Sequence, residues 1–236
     1  MLLGLAMLVA LMYLTILLYL YQFARDLLQS PKMILLLVTV MLLEMALGLV
    51  LKQINMPIYC TRFTAGLIKL KLEEHRLLDK TKLITCEAGE VVKAGRFSVE
   101  FIHVNHSIAD ACMIAVKTPE GNILHTGDFK LDVSPIGGEM MDLTRIGEYG
   151  REGILLLMCE STNVDHPGFT PSEKRVGASL DLIFMTNTDK RIIIATFSSN
   201  VHRVQQIINS SVKYGRKVAI TGRSMLNVVG AAVRLG

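Results

Sequence analysis

Three short stretches of the sequence carry side chains that commonly bind metal ions. They are His103-Val104-Asn105-His106-Ser107, His125-Thr126-Gly127-Asp128 and Glu160-Ser161-Thr162. Each follows an apolar run with the composition of a β-strand, so each is expected at a strand end. Imidazole and carboxylate groups that converge at one sheet edge can bind Zn²⁺ or Mn²⁺ and lower the pKa of a bound water toward neutrality. The spacing between the stretches also fits ordinary core or turn residues, and both interpretations stay open.

A second polar group lies between a predicted strand and a predicted helix. It comprises Ser198, Ser199, Asn200, His202 and Arg203. Free N–H groups at a helix start, together with hydroxyls and a guanidinium, form a natural phosphate pocket. The alternative is ordinary helix capping by Ser199 or Asn200, with Arg203 in solvent. The stretch Gly222 to Met225 either adds a backbone contact to phosphate or forms only a turn and cap.

The pattern of apolar residues and turns predicts the elements that position these groups. A strand over 56–59 leads into a helix that runs toward His75, and strands follow at 82–86, 97–104, 111–118 and 123–126, the last two as a hairpin. The run 153–159 is apolar throughout, which is typical of a strand buried on both faces. A helix is expected to begin near Pro171. This order predicts an α/β fold.

The C-terminal part shows the clearest supersecondary pattern. Residues 191–197 and 217–221 read as strands, and 201–214 reads as a helix that ends at Gly215. Such a βαβ unit implies parallel strands joined by a right-handed crossover.

The chain joins two different compositions. Its hydrophobic fraction of 51% and mean hydropathy of +0.42 exceed those of an ordinary soluble domain, and most of the excess lies before Lys52. Residues 2–24 are uncharged and long enough for a membrane span, whereas the second run, 33–51, contains Glu44. If these runs cross a membrane, the basic residues that follow place the remainder in the cytoplasm. The alternative is that the apolar residues are not a genuine membrane segment.

Charge and cysteine usage give weaker guidance. The formal net charge of +4 is compatible with a nucleic-acid partner without indicating one. Four widely spaced cysteines form neither a CxxC pair nor a secreted disulfide framework. They are typical of reduced, mostly buried thiols in a cytosolic protein.

From about Leu51 to Gly236 the sequence closely resembles the ribonuclease J family. The resemblance rests on the blocks NMPIYCTRFTAGLIKLKLEEH, FIHVNHSIADACMIAV, HTGDFKLD, STNVDHPGFTPSEKRVG and IIIATFSSNVHRVQQIINSSVKYGRKVAITGRSM. It implies a partial metallo-β-lactamase αββα sandwich over 51–169 and the start of a β-CASP α/β domain over 170–236. Composition adds an apolar helical segment over 1–50, read as possible transmembrane helices or a frame-shifted region.

The resemblance also implies a chemistry and its residues. Members of the family hydrolyse RNA in processing and decay, as 5′-to-3′ exonucleases and endonucleases, usually with two Zn²⁺ ions. By resemblance, His106 is a metal ligand, Asp128 bridges the metals, and Glu160 occupies a position where the family usually has aspartate. The block around Ser198 to Arg203 would lie beside RNA. The expected partners are RNA and a second copy of the chain in a cytoplasmic protein, with a membrane only if the apolar segment spans it.

One departure from the family pattern affects catalysis directly. The family's HxHxDH metal motif precedes the block VLKQINMPIY, and its four ligand positions correspond here to Val38, Val40, Leu42 and Leu43. None of these side chains binds a metal, so we expect this chain to be inactive by itself. A shifted reading frame upstream of Leu51 would explain the abrupt change, and translating the upstream DNA in its other frames tests that hypothesis. A non-catalytic RNA-binding fragment and a membrane-anchored protein are the alternative functions.

Overall fold

The computed structural model describes residues 57–236 and 51–52 in full, and residues 35–36 by their backbone. The predicted apolar helical N-terminus, apart from the strand residues Leu35–Leu36, and the positions of Val38, Val40, Leu42 and Leu43 therefore lie outside the described residues. The described residues from Leu35 onward belong to one compact unit. A domain boundary near Thr170 stays a prediction.

A five-stranded sheet forms the centre of the described part. In spatial order its strands are β4 (Val91–Ala94), β5 (Phe97–His103), β6 (Cys112–Lys117), β7 (Asn122–His125) and β8 (Ile154–Met158). Neighbours are antiparallel except β7 and β8, which are parallel. The predicted hairpin between β6 and β7 is confirmed, and the Thr118 hydroxyl closes its turn by bonding to Gly121. Strands β5, β7 and β8 consequently run in the same direction, and their carboxyl ends share one sheet edge.

A smaller parallel sheet and its crossover helix lie earlier in the chain. Strands β1 (Leu35–Leu36), β2 (Ile58–Cys60) and β3 (Leu83–Thr85) pair in that order. Helix α1 (Arg62–Glu74) connects β2 to β3, as the sequence predicted. It buries Ala65, Ile68 and Leu72, whose three- and four-residue spacing places them on one helical face, and it also buries Phe63 in its first turn.

Four further helices complete the described elements. They are α2 (Leu143–Glu152), α3 (Lys174–Thr186), α4 (Val201–Lys213) and α5 (Arg223–Leu235). The predicted starts of α3 and α4 are confirmed. Helix α5 was not predicted, although the turn and cap considered for the stretch Gly222 to Met225 coincides with its start at Arg223. Helices α3 and α4 pack together, and α5 packs on α1. The mixed α/β class is confirmed, while the partial metallo-β-lactamase sandwich stays a prediction.

Strand β8 corrects one sequence-based prediction. The run 153–159 does form a strand, but the strand is not buried on both faces, since Leu155 is 60% exposed and Leu157 is 54% exposed. Among the described residues β8 pairs only with β7 and stands at the sheet edge. A buried central strand needs neighbours that cover it, and an apolar sequence alone does not provide them.

The predicted strands on either side of α4 are also corrected. Residues 191–197 and 217–221 form no strand ladder, and Ile193 is 89% exposed. The helix between them forms as predicted and is followed by Gly215 in a left-handed conformation. A strand is defined by hydrogen bonds to a neighbour, so β-branched composition is insufficient where no neighbour is aligned.

A buried ion pair fastens α2 to the central sheet. Glu100 on β5 accepts two hydrogen bonds from the Arg145 guanidinium, at 2.6 and 2.7 Å, and one from the Tyr149 hydroxyl at 2.7 Å. The bond from Arg145 is the largest influence on the pKa of Glu100, which lies below its ordinary value despite the opposing effect of burial. The ionised carboxylate is therefore the form that the fold favours.

This pKa shift predicts an acid-dependent contribution to stability. Since the pKa of Glu100 is lower in the folded state, its contribution is fully present above the unfolded pKa and is lost as pH falls through the folded pKa. The difference in unfolding free energy between the wild type and Glu100→Gln should shrink as the pH is lowered from about 6 to about 3. Urea titrations of both proteins across this range measure the difference. A constant difference would contradict the assignment.

Candidate functional site

One cavity of about 760 Å³ gathers most of the residues that the sequence singled out. Its lining includes His106, Asp128, Glu160, Asn200, His202 and Arg203. His106 follows β5, Asp128 follows β7 and Glu160 follows β8, so the shared direction of these strands brings the three residues to one edge. The carboxyl edge of such strands is a common ligand position. The predicted convergence at a sheet edge is thus present in the structure.

His106 and Asp128 are neighbours within this cavity. The Nε2 atom of His106 lies 4.0 Å from Oδ2 of Asp128. Burial lowers the pKa of His106, although the negative charges of Asp128 and Glu160 oppose that effect. A neutral imidazole beside a carboxylate offers one nitrogen and one oxygen donor to a cation.

Glu160 is held by backbone groups rather than aimed freely into the cavity. Its Oε1 accepts the Phe129 N–H at 3.1 Å, and its Oε2 accepts the Thr162 N–H at 3.0 Å. Burial opposes ionisation of Glu160, but the bonds from Thr162 and Phe129 outweigh it and lower the pKa. In this arrangement Glu160 ties the end of β8 to the loop that carries Asp128.

The other polar residues of the metal-type stretches fix local backbone. Asn105 donates to the Glu139 carbonyl at 2.8 Å and accepts the Met141 N–H at 2.9 Å. His125 accepts the Gly127 N–H through Nδ1 at 3.0 Å. Both side chains therefore shape the loops around the cavity and act as the turn residues that the alternative interpretation described.

The start of α4 lines the same cavity and is capped. Asn200 Oδ1 accepts the Arg203 N–H at 3.0 Å, which is the capping arrangement considered as an alternative to phosphate binding. The Arg203 side chain is not in solvent, because it forms a bidentate pair with Glu173. Ser198 lies outside the cavity lining, with its hydroxyl 2.7 Å from that of Ser224, and Ser199 does not line it either.

Sequence reasoning missed three acidic residues that organise the cavity: Asp110, Asp132 and Glu173. Asp110 accepts hydrogen bonds from the Thr61 hydroxyl and from the Phe63 N–H. Asp132 and Glu173 connect the loop after β7 to helices α3 and α4. The available signals were their positions, since Asp132 ends the HTGDFKLD block and Glu173 opens a predicted helix. Neither position in the sequence shows which distant residue the side chain contacts in the fold.

The donors in the described residues do not by themselves fit a zinc site. A structural or catalytic zinc needs at least three protein ligands, and no group of three histidine, cysteine or acidic side chains in the described ranges is placed to hold a metal ion. His106 and Asp128 supply two donors, and both oxygens of Glu160 already accept backbone N–H groups.

Comparison with known proteins supports the resemblance. Residues 189–236 match the family model described as the β-CASP domain of ribonuclease J. A ribonuclease J from Synechocystis sp. is 47% identical over 188 residues, covering 79% of this chain and 29% of the relative. The chain is a relative of ribonuclease J. The ribonuclease J of Thermus thermophilus is 41% identical over 83% of this chain and 34% of its own length, and that of Helicobacter pylori is 40% identical over 78% and 27%.

These matches cover only part of each relative. The aligned part spans about a third of the length of the ribonuclease J relatives. A crystal structure of a protein of unknown function from Enterococcus faecalis shares the fold, with a TM-score of 0.52 and 22% identity over 74% of this chain and 44% of that one.

The predicted membrane association lies beyond what the described residues report. None of the described helices is long and apolar enough to cross a bilayer. The two apolar runs that carried the prediction fall almost entirely outside the described ranges.

All four cysteines are free. Cys60 and Cys86 are buried, Cys112 is partly buried and Cys159 is exposed. Burial raises the pKa of Cys60 to about 12 and that of Cys86 to about 11. Buried thiols with raised pKa values are poor nucleophiles, so they serve packing rather than chemistry.

Proposed function

We propose that this chain carries part of the RNA-hydrolysis site of a ribonuclease J-like, metal-dependent nuclease, and that it does not hydrolyse RNA by itself. The observation that carries the proposal is the meeting of His106 and Asp128 in one cavity without a third donor among the described residues. In the family, two zinc ions would supply a hydroxide for attack on phosphorus. His106 and Asp128 provide only two donors, which do not hold zinc tightly, so these side chains alone do not support hydrolysis.

A non-catalytic RNA-binding fragment is the second candidate. Lys130, His202 and Arg203 line the same cavity as His106 and offer groups that bind phosphate without any metal, with Lys130 beside Asp132 and Arg203 paired with Glu173. Basic side chains that bind phosphates support affinity that is independent of base sequence. Both candidates place RNA in this cavity, and they differ in whether added metal produces cleavage.

Two measurements on the purified chain test the proposal. Metal analysis should find well below one tightly held zinc per chain, because the ligand set is incomplete. A labelled, 5′-monophosphorylated RNA should remain uncleaved in the presence of zinc or manganese, and Asp128→Ala should leave that result unchanged. The matched control is Asp165→Ala, which removes an exposed acidic side chain away from the cavity lining. Metal-dependent cleavage that disappears only in Asp128→Ala would overturn the proposal.

The membrane-anchored alternative requires a separate measurement, since the relevant residues lie outside the described ranges. Solubility of the full chain with and without detergent tests it, and a cytoplasmic location stays a prediction until then.

A further inference from the structure

A continuous polar connection joins two walls of the cavity, namely the loop after β7 and the start of α4. On one side, Asp132 in the loop after β7 has only 5% of its side chain exposed. Its Oδ1 accepts the Ser134 N–H at 3.0 Å and its Oδ2 accepts the Glu173 N–H at 3.3 Å. The Ser172 hydroxyl donates to the Ser134 carbonyl at 2.9 Å. The loop that carries Asp128 is thereby fixed to the start of α3.

The same glutamate continues the connection to α4. The Glu173 carboxylate accepts two hydrogen bonds from the Arg203 guanidinium, at 2.6 and 3.0 Å. Arg203 is the largest cause of the lowered pKa of Glu173, and Asn200 contributes in the same direction. The side chains of Glu173 and Arg203 are 18% and 31% exposed, so this pair is more shielded than an ordinary surface pair.

We infer that Glu173 is the positioning residue of the cavity: its backbone holds the Asp128 loop, its carboxylate holds α4, and the charge of Arg203 is committed to this joint rather than to RNA phosphate. The inference rests on the proposed RNA-binding function and gives its basic residues different roles. A phosphate at Arg203 would have to displace a bidentate partner and leave the Glu173 carboxylate unpaired beside it. That arrangement is unfavourable, because like charges repel in a partly buried site.

The first test is an exchange of the two charges in the full chain. Glu173→Arg and Arg203→Glu should each weaken binding of a 5′-monophosphorylated RNA about tenfold, and the double variant should recover most of the affinity because the pair is restored. Fluorescence anisotropy measures these affinities. If Glu173 instead competes with RNA for Arg203, Glu173→Gln would bind RNA more tightly than the wild type, and that result overturns the inference.

The salt dependence of binding separates a joint from a phosphate contact without relying on a restored geometry. The logarithm of the binding constant falls linearly with the logarithm of the salt concentration. Losing one phosphate contact to single-stranded RNA makes this slope less steep by about 0.7. Arg203→Gln should weaken binding while leaving the wild-type slope. The comparison for loss of one positive charge is Lys213→Gln, at the exposed other end of α4. If the slope for Arg203→Gln is less steep than that of the wild type by about 0.7, the inference is overturned.

Hydrogen exchange tests the joint even if the chain binds no RNA, an outcome that would defeat the proposed function alone. Arg203→Gln should speed exchange of the Ser134 amide about tenfold, because the effect passes through Glu173 and Asp132. Lys213→Gln is the matched control, since Lys213 lies on α4 like Arg203 and the change breaks an exposed ion pair with Asp181 of α3. Unchanged protection of Ser134 in Arg203→Gln shows that Glu173 does not couple the two walls.

Discussion

Replacing Tyr149 with alanine should lower the free energy of unfolding by about 4 kcal/mol, the range typical of truncating a buried aromatic side chain. Tyr149 is 1% exposed and packs in a cluster with Ile102, Val104, Leu124 and Met141. The substitution creates a cavity under the central sheet and also leaves Glu100 without the hydroxyl donor. Urea unfolding of the purified variant measures the loss.

The matched control is Tyr149→Phe. It keeps the ring in place and removes only the bond to Glu100, so it should cost about 1 to 2 kcal/mol. The ring also lies beneath the charged groups of Lys117 and Arg145, at 4.9 and 4.7 Å from its centre, and phenylalanine preserves these contacts. Equal losses for the two variants would show that the hydroxyl, rather than packing, dominates at this position.

Removing the Asp110 carboxylate should be the second most damaging change. Asp110 accepts the Thr61 hydroxyl at 2.8 Å and the Phe63 N–H at 2.6 Å, so it anchors the loop after His106 to the first turn of α1. Asp110→Gly should cost about 2 kcal/mol, because a partly buried N–H and hydroxyl lose their acceptor. Chemical unfolding monitored by circular dichroism measures the difference.

The backbone conformation of Asp110 provides the comparison. Its φ of 53° is left-handed, a conformation that glycine adopts freely and alanine does not. Asp110→Ala should therefore be about 1 kcal/mol less stable than Asp110→Gly, since it adds strain to the same loss of hydrogen bonds. If alanine proves the more stable variant, the backbone at this position does not retain its φ, and the anchoring role assigned to Asp110 is wrong.

The sequence predicted much of the local structure and the broad placement of the site. The hairpin of β6 and β7, helix α1 and the starts of α3 and α4 follow from patterns within a few residues of each element. His106, Asp128 and Glu160 were placed at strand ends because their positions follow apolar runs. Family resemblance added the expected chemistry, and it showed that aliphatic residues stand where the family has metal ligands.

Tertiary structure decided which side chains meet and which apolar residues are covered. Arg203 pairs with Glu173 across 30 residues, and Tyr149 meets Glu100 across 49. Within the part of the chain that the structure describes, strand β8 has an interior-type sequence but stands at an edge, and 191–197 lacks a ladder partner. Periodicity and capping are local properties that a sequence displays directly, whereas burial, strand pairing and ion pairing depend on partners that only the folded chain brings within reach.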